Sequence, residues 1–157
     1  MLTCATSLAD TPHRLGARFC ALNNAHALDA QYRTIASSGL IQMVEPIIKM
    51  NDAYLARYPD DKSPLGDGLG LTGVADHARC EVGKAAGKGA RRQLDVTYRI
   101  DDKHDAGASR KPWSDRLMLV NEDGQWKVDD IRYASGGTLR QFLLMNRKAL
   151  QRDLAVK

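Results

Sequence analysis

The 157-residue chain has few aromatic residues (6%), five prolines and three cysteines, and only a small excess of charge of one sign. Nowhere do eighteen consecutive apolar residues occur, which excludes a membrane-spanning helix of ordinary length. Twenty-three basic residues against 19 acidic ones leave a formal charge of +4, too slight to argue for nucleic acid as a partner. Catalytic signatures are missing as well. There is no Gly-x-Ser-x-Gly nucleophile motif. The glycine-rich run Gly83 to Gly89 is not a phosphate loop, because Lys88 is followed by Gly89 and a strand rather than by Ser or Thr and a helix. His13, His26, His77 and His104 are dispersed, and only His77 with Cys80 has a ligand-like separation. Zinc needs three or four protein ligands, so neither a metal site nor a cofactor is expected.

What is present describes an ordinary folded domain. Hydrophobic residues make up 43% of the chain, and its length suits one core. Thr11-Pro12 reads as an N-cap with proline in the first turn, followed by Leu15, Phe19, Leu22 and His26 at helical spacing. Residues 28–35 either extend that helix or begin another, and Ser37-Ser38-Gly39 is a break. Residues 40–58 are again apolar at helical spacing, with Pro46 expected at a helix start. Residues 59–73 are rich in Gly, Pro and Asp and read as a long loop, either covering the sheet or gating a ligand. Strand signals follow at Cys80 and Val82, then at Leu94, Val96, Tyr98 and Ile100, with residues 83–89 expected as a flexible connection and 101–111 as a second loop.

The clearest segment is residues 113–140. Leu117 and Leu119 alternate with Met118 and Val120, Asn121-Glu122-Asp123-Gly124 supplies a turn, and Trp126 and Val128 resume an apolar face at period two. After Tyr133 the run Ala134-Ser135-Gly136-Gly137 ends the sheet. Thr138 and Gln141 then form a capping-box pattern ahead of Leu139, Phe142, Leu143, Ala149, Leu150 and Leu154. Helices first and antiparallel strands after them predict an α+β domain over residues 11–157, with N-terminal helices in a curved sheet and a helix at the C-terminal end.

Residues 1–10 are expected as the remnant of an export signal: Leu2 to Ala9 is small and apolar, and Ser7-Leu8-Ala9 has the form of a cleavage site, although a basic leading region is missing. The alternative is a frayed terminus of a cytosolic protein. Removing that segment would leave Cys20 and Cys80, in a helix and a strand that could meet across the core. A disulfide there fits a periplasmic or secreted protein, and two free thiols would fit the cytoplasm.

Residues 113–140 resemble the nuclear-transport-factor-two-like superfamily, and within it small exported bacterial domains of unknown function. The resemblance rests on Trp113, Asp115, Arg116, Leu117, Met118, Leu119, Val120, Trp126, Val128, Asp129, Asp130, Ile131 and Tyr133, followed by Leu139-Arg140. Upstream it is one of element order only, with Gly66-Asp67-Gly68 in the loop. It implies a cone of helices cupped by a bent sheet, and not an activity, because the fold hosts enzymes, adaptors and inert binding modules. Some relatives look like immunity proteins, and their exposed sheets often pair into homodimers.

Two functions follow as expectations. The first is a non-enzymatic exported binding protein of immunity or inhibitor type, its partner a toxin or secreted enzyme, with Arg91, Arg92, Arg99, Trp113 and Tyr133 as anchors. The second is a small-molecule-binding or isomerase-like cone that uses an inward carboxylate, with Asp95, Tyr98, Arg116, Asp130 and Tyr133 as candidates. Asp115, Arg116 and Asp130 are also readable as cross-strand ion pairs or turn hydrogen bonds. Dense basic stretches, Arg79, Lys84, Lys88, Arg91 and Arg92 in one and Arg140, Arg147, Lys148, Arg152 and Lys157 in the other, would make a basic face if they lay together. The content of the cone separates the two functions: an apolar plug favours the binding module, and a polar-lined pocket favours a ligand.

Overall fold

Thr11 accepts a hydrogen bond from the Arg14 backbone and Pro12 occupies the first turn, so helix α1 (Pro12–Asn24) starts where its capping residues dictate. The computed structural model describes residues 10–72, 78–100 and 111–156. A short helix α2 (Leu28–Gln31) and a 3-10 turn (Tyr32–Thr34) follow, then α3 (Ser38–Arg57). The strands β1 (Ala78–Ala86), β2 (Arg91–Ile100), β3 (Trp113–Glu122) and β4 (Gln125–Arg132) precede α4 (Leu139–Ala155). The sheet is an antiparallel meander in the order β1-β2-β3-β4, and it is curved, with register shifts in β1 and between β3 and β4.

Two expectations about boundaries give way here. Pro46 lies inside α3, not at its start; the helix begins at Ser38, capped by the buried Ser37, whose hydroxyl accepts from the Leu40 backbone. Proline is tolerated because it sits on the exposed side of the helix, where water can reach the carbonyl it leaves unbonded. Residues 83–86 are not a flexible connection but the second half of β1, which pairs with β2 through a bulge between Val82 and Ala85. Gly83 makes that close pairing feasible, since a Cβ there would stand 2.8 Å from the Asp95 carbonyl oxygen. Residues 1–9, with the expected export remnant, and most of the 101–111 loop lie outside the described residues.

The hairpin forms as its sequence directs. Asp123 and Gly124 both have positive φ, 51° and 84°, the turn geometry that matches the twist of paired strands, and Asn121 accepts from the Gly124 backbone. Leu117, Leu119, Trp126, Val128 and Ile131 are buried. The capping box at Thr138 and Gln141 is present, and Leu139, Leu143 and Leu150 carry the buried stripe of α4.

One core joins these layers. Phe19 from α1, Ile47 from α3, Leu94 and Val96 from β2, Leu117 from β3 and Leu143 from α4 are all inaccessible to solvent. Helix α1 packs on β1 and β2, and α4 packs on α3 and β4. Gly16 sets the approach of α1, because a Cβ at that position would overlap the buried Leu94 side chain. A disulfide joins Cys20 of α1 to Cys80 of β1, with Cα atoms 4.9 Å apart.

Each outer strand also has its free edge engaged. Beside β1, the Asn24 side chain accepts from the Cys80 backbone N–H at 2.8 Å and donates to the Cys80 carbonyl, while Asn23 donates to the Ala78 carbonyl. Beside β4, the Ser37 N–H donates to the Val128 carbonyl and the Val128 N–H donates to the Ile35 carbonyl, each at 2.8 Å.

Candidate functional site

Period-two alternation sends Leu94, Val96 and Tyr98 of β2 and Asp115, Leu117 and Leu119 of β3 to the same buried face. Val96 pairs with Asp115, and Tyr98 pairs with Trp113. Arg116 pairs with Arg132, so Tyr133 follows on beside Asp115. One polar row therefore runs from β2 through β3 to the residue just after β4: Tyr98, Asp115 and Tyr133, with the Trp113 ring stacked on Tyr98 at a centroid distance of 5.7 Å.

Asp115 is 2% exposed, and no cation among the described residues pairs with it. Its Oδ1 accepts from the Ala134 N–H at 2.8 Å. Its Oδ2 and the Tyr98 hydroxyl have no hydrogen-bond partner among the described residues. Burial pushes the Asp115 carboxyl above the ordinary carboxylate range, and the Ala134 hydrogen bond opposes the shift only in part. Burial, and then the nearby Asp115 charge, also raise both phenols, so Tyr98 and Tyr133 stay protonated at neutral pH.

The Tyr133 hydroxyl donates to the Gly70 carbonyl at 2.5 Å and faces a cavity of about 700 Å³. The end of α1 with α2 contributes Asn23, His26, Leu28 and Asp29, and the loop of residues 59–72 contributes Leu65, Asp67, Gly70, Leu71 and Thr72. Gly68 of that loop, Ala78 of β1, Ser135 and Phe142 complete it beside Tyr133. The loop covers the structure, with Leu65, Leu69 and Leu71 buried, and it also forms one wall of the cavity. The Asp29 carboxylate ties it down by accepting from the Leu69 N–H at 2.9 Å. Gly70 has φ of 74°, and a Cβ there would stand 2.7 Å from the Phe142 ring. The cavity lining is mixed, with Asp29, Asp67 and Asn23 beside leucine and phenylalanine.

Of the expected enzyme candidates, Tyr98 and Tyr133 belong to this row. Asp95 and Arg116 face outward as a cross-strand ion pair at 2.7 Å. Asp130 accepts from the Ile131 and Arg140 backbone N–H groups, which fixes the start of α4. The register shift in β4 aims its neighbour Asp129 at the Ser37 hydroxyl and the Arg140 guanidinium, both at 2.7 Å. These acids hold helices to the sheet. Asp115 was missed as the inward acid, although its spacing from Leu117 and Leu119 already placed it on their face.

The expected partner anchors do not converge. Arg91 approaches Asp129 at 3.7 Å, Arg92 donates to the Gly87 and Gly89 carbonyls, and Arg99 pairs with Glu81. Arg91 and Arg99 stand at opposite ends of β2, roughly 26 Å apart at strand rise. Trp113 covers Tyr98, and Tyr133 faces the cavity. The basic segments also stay apart, one on β1 and β2 and the other on α4, except that Arg91 and Arg140 share Asp129. His77 lies outside the described residues. Among the described residues no group of three or more His, Cys, Asp or Glu is placed to hold a metal, and no helix is long and apolar enough to cross a membrane.

The Asp115 shift has a consequence in stability. The folded carboxyl holds its proton to higher pH than the unfolded one, so over that interval the folded state binds more protons and stability falls as pH rises. Below the ordinary carboxylate range the effect is absent, and above the raised value it is constant. Urea unfolding across pH 3 to 8 will show this fall in the wild type and lose it in Asp115→Asn, which keeps the acceptor for Ala134. An identical fall in the variant would assign the effect to another group.

In comparisons with protein-family models, with curated proteins and with solved structures, nothing matches this chain.

Proposed function

We propose that this protein is an exported small-molecule-binding cone of the nuclear-transport-factor-two-like kind, with its ligand in the cavity bounded by Tyr133, Phe142 and the loop of residues 59–72. The observation that carries the reading is the cavity of about 700 Å³, one residue away from a buried carboxyl whose Oδ2 has no partner among the described residues. That volume suits a small organic ligand, and a pocket combining apolar walls with a few polar groups is the usual form of such a site. The toxin-inhibitor reading depends on free arginine anchors in one patch, and Arg91, Arg92 and Arg99 are separated and engaged within the chain. The disulfide between Cys20 and Cys80 supports export, since oxidising compartments are where such bonds persist.

A fragment screen by NMR on the oxidised chain tests the proposal. Binding fragments should shift the signals of Leu71, Tyr133 and Phe142, and Ala78→Phe, which adds a ring at the cavity wall, should weaken them at least tenfold. Fragments that map only to the outer sheet face, or that are indifferent to Ala78→Phe, would refute it. The buried Asp115 carboxyl beside Tyr133, raised by desolvation, favours a second reading in which proton transfer takes place behind Tyr133, with Asp115 as the general acid or base. Turnover of a small carbonyl compound that survives Asp115→Asn would rule that out.

A further inference from the structure

We infer that Tyr98 and Asp115 form an inner subsite for an uncharged hydroxyl group, which a ligand places there from the cavity by displacing Tyr133. The inference rests on the small-molecule reading above and names the chemistry of the ligand's leading end.

Buried polar side chains nearly always have a partner, because an unsatisfied donor or acceptor loses its hydration without compensation. Here two such atoms, Tyr98 Oη and Asp115 Oδ2, lie on residues that are 0% and 2% exposed. Their register makes them diagonal neighbours on the inward face: Tyr98 is opposite Trp113, and Asp115 is two residues further along β3. A single orphan could reflect local packing. Two orphans of complementary chemistry on adjacent strands point to a third group that would serve both.

A hydroxyl satisfies both, accepting from the Tyr98 O–H while donating to Asp115 Oδ2. A hydrocarbon end leaves both unmade. An ammonium group has no acceptor for the tyrosine, and a carboxylate brings a second negative charge against Asp115. The cavity reinforces the last exclusion, since its carboxylates are Asp29 and Asp67 and no Lys or Arg occurs among its described lining residues. Leu28, Leu65, Leu71 and Phe142 offer an apolar wall for the rest of the ligand. Tyr133 follows Arg132, the register partner of Arg116, so it stands beside Asp115 while also lining the cavity. Its hydrogen bond to the Gly70 carbonyl is the contact that must open.

Three probes on one skeleton test this with the oxidised full chain: 2-phenylethanol, phenylacetate and ethylbenzene, titrated by NMR into the wild type and Tyr98→Phe. Removing the unpartnered hydroxyl should raise Tm by about 2–4 °C. It should also weaken 2-phenylethanol about fivefold, the worth of one ordinary hydrogen bond, and leave ethylbenzene unchanged. Phenylacetate should bind the wild type at least tenfold more weakly than the alcohol. A fall in Tm for Tyr98→Phe would mean that the hydroxyl is already satisfied, for instance by an internal water, and would overturn the subsite. Equal binding of 2-phenylethanol to both proteins, or phenylacetate as the best ligand, would overturn it while leaving the cavity reading intact. Failure of all three probes to bind at millimolar concentration would overturn both.

Discussion

Replacing Cys20 and Cys80 together by alanine will lower the stability of the oxidised chain by about 4 kcal/mol, the chain-entropy value for a bridge between residues 60 apart in sequence. Domains of this size are stable by only about 5–15 kcal/mol, so much of the margin rests on one bond. The effect acts through the unfolded chain, which the bridge keeps compact. Equilibrium urea unfolding should therefore show a lower midpoint and also a steeper dependence on denaturant, because the released chain exposes more surface. Alkylation of the wild type under denaturing, non-reducing conditions should leave positions 20 and 80 unmodified. Free thiols at both positions, or coincident unfolding curves, would show that the bridge contributes nothing in solution.

Phe19→Ala will cost about 3–5 kcal/mol by a different route. Phe19 is fully buried in α1, which packs against the sheet, one residue before Cys20, and its removal leaves a cavity that the surrounding core can close only in part. This loss belongs to the folded state. The midpoint should fall while the slope with urea stays at the wild-type value, which separates it from the cysteine pair. Phe19→Leu, which keeps most of the volume, should recover more than half of the loss. A cost below 1 kcal/mol for Phe19→Ala would show that α1 adds little to the core.

Much of the architecture could be read from local chemistry. The hairpin, the capping box and the start of α1 all depend on a few adjacent residues whose preferred geometry is also the one adopted. The errors arose where distant structure decides. Pro46 would end a helix in isolation, but α3 is held by its packing and carries the proline on its wet side. Gly83 to Ala86 has the composition of a linker, and pairing with β2 makes it a strand. Site residues were harder because a charged residue in a strand can be scaffold or site, and only its face tells which. Asp95, Arg116 and Asp130 turned out to brace the outer sheet and the helix starts. Asp115 was grouped with them by charge, although strand parity with Leu117 and Leu119 set it apart. No local pattern could show the cavity itself, which draws its walls from segments as distant as Asn23 and Phe142.

The asparagine side chains along β1 bear on how the protein behaves when crowded. A strand border with free N–H and C=O groups is a template on which another chain can add, and that is a common route to polymers. At Cys80 both groups are occupied by one amide side chain that cannot continue the ladder. Beyond it, the bulge and the exposed Lys84 interrupt the straight run that an incoming strand would need. On the far border, both backbone groups of Val128 are occupied by the backbone of residues 35 and 37, a single bridge that goes no further. Even as an outer-strand amide, the Cys80 N–H should exchange slowly with solvent deuterium, and losing Asn24 would open growth of the sheet as well as destabilise it.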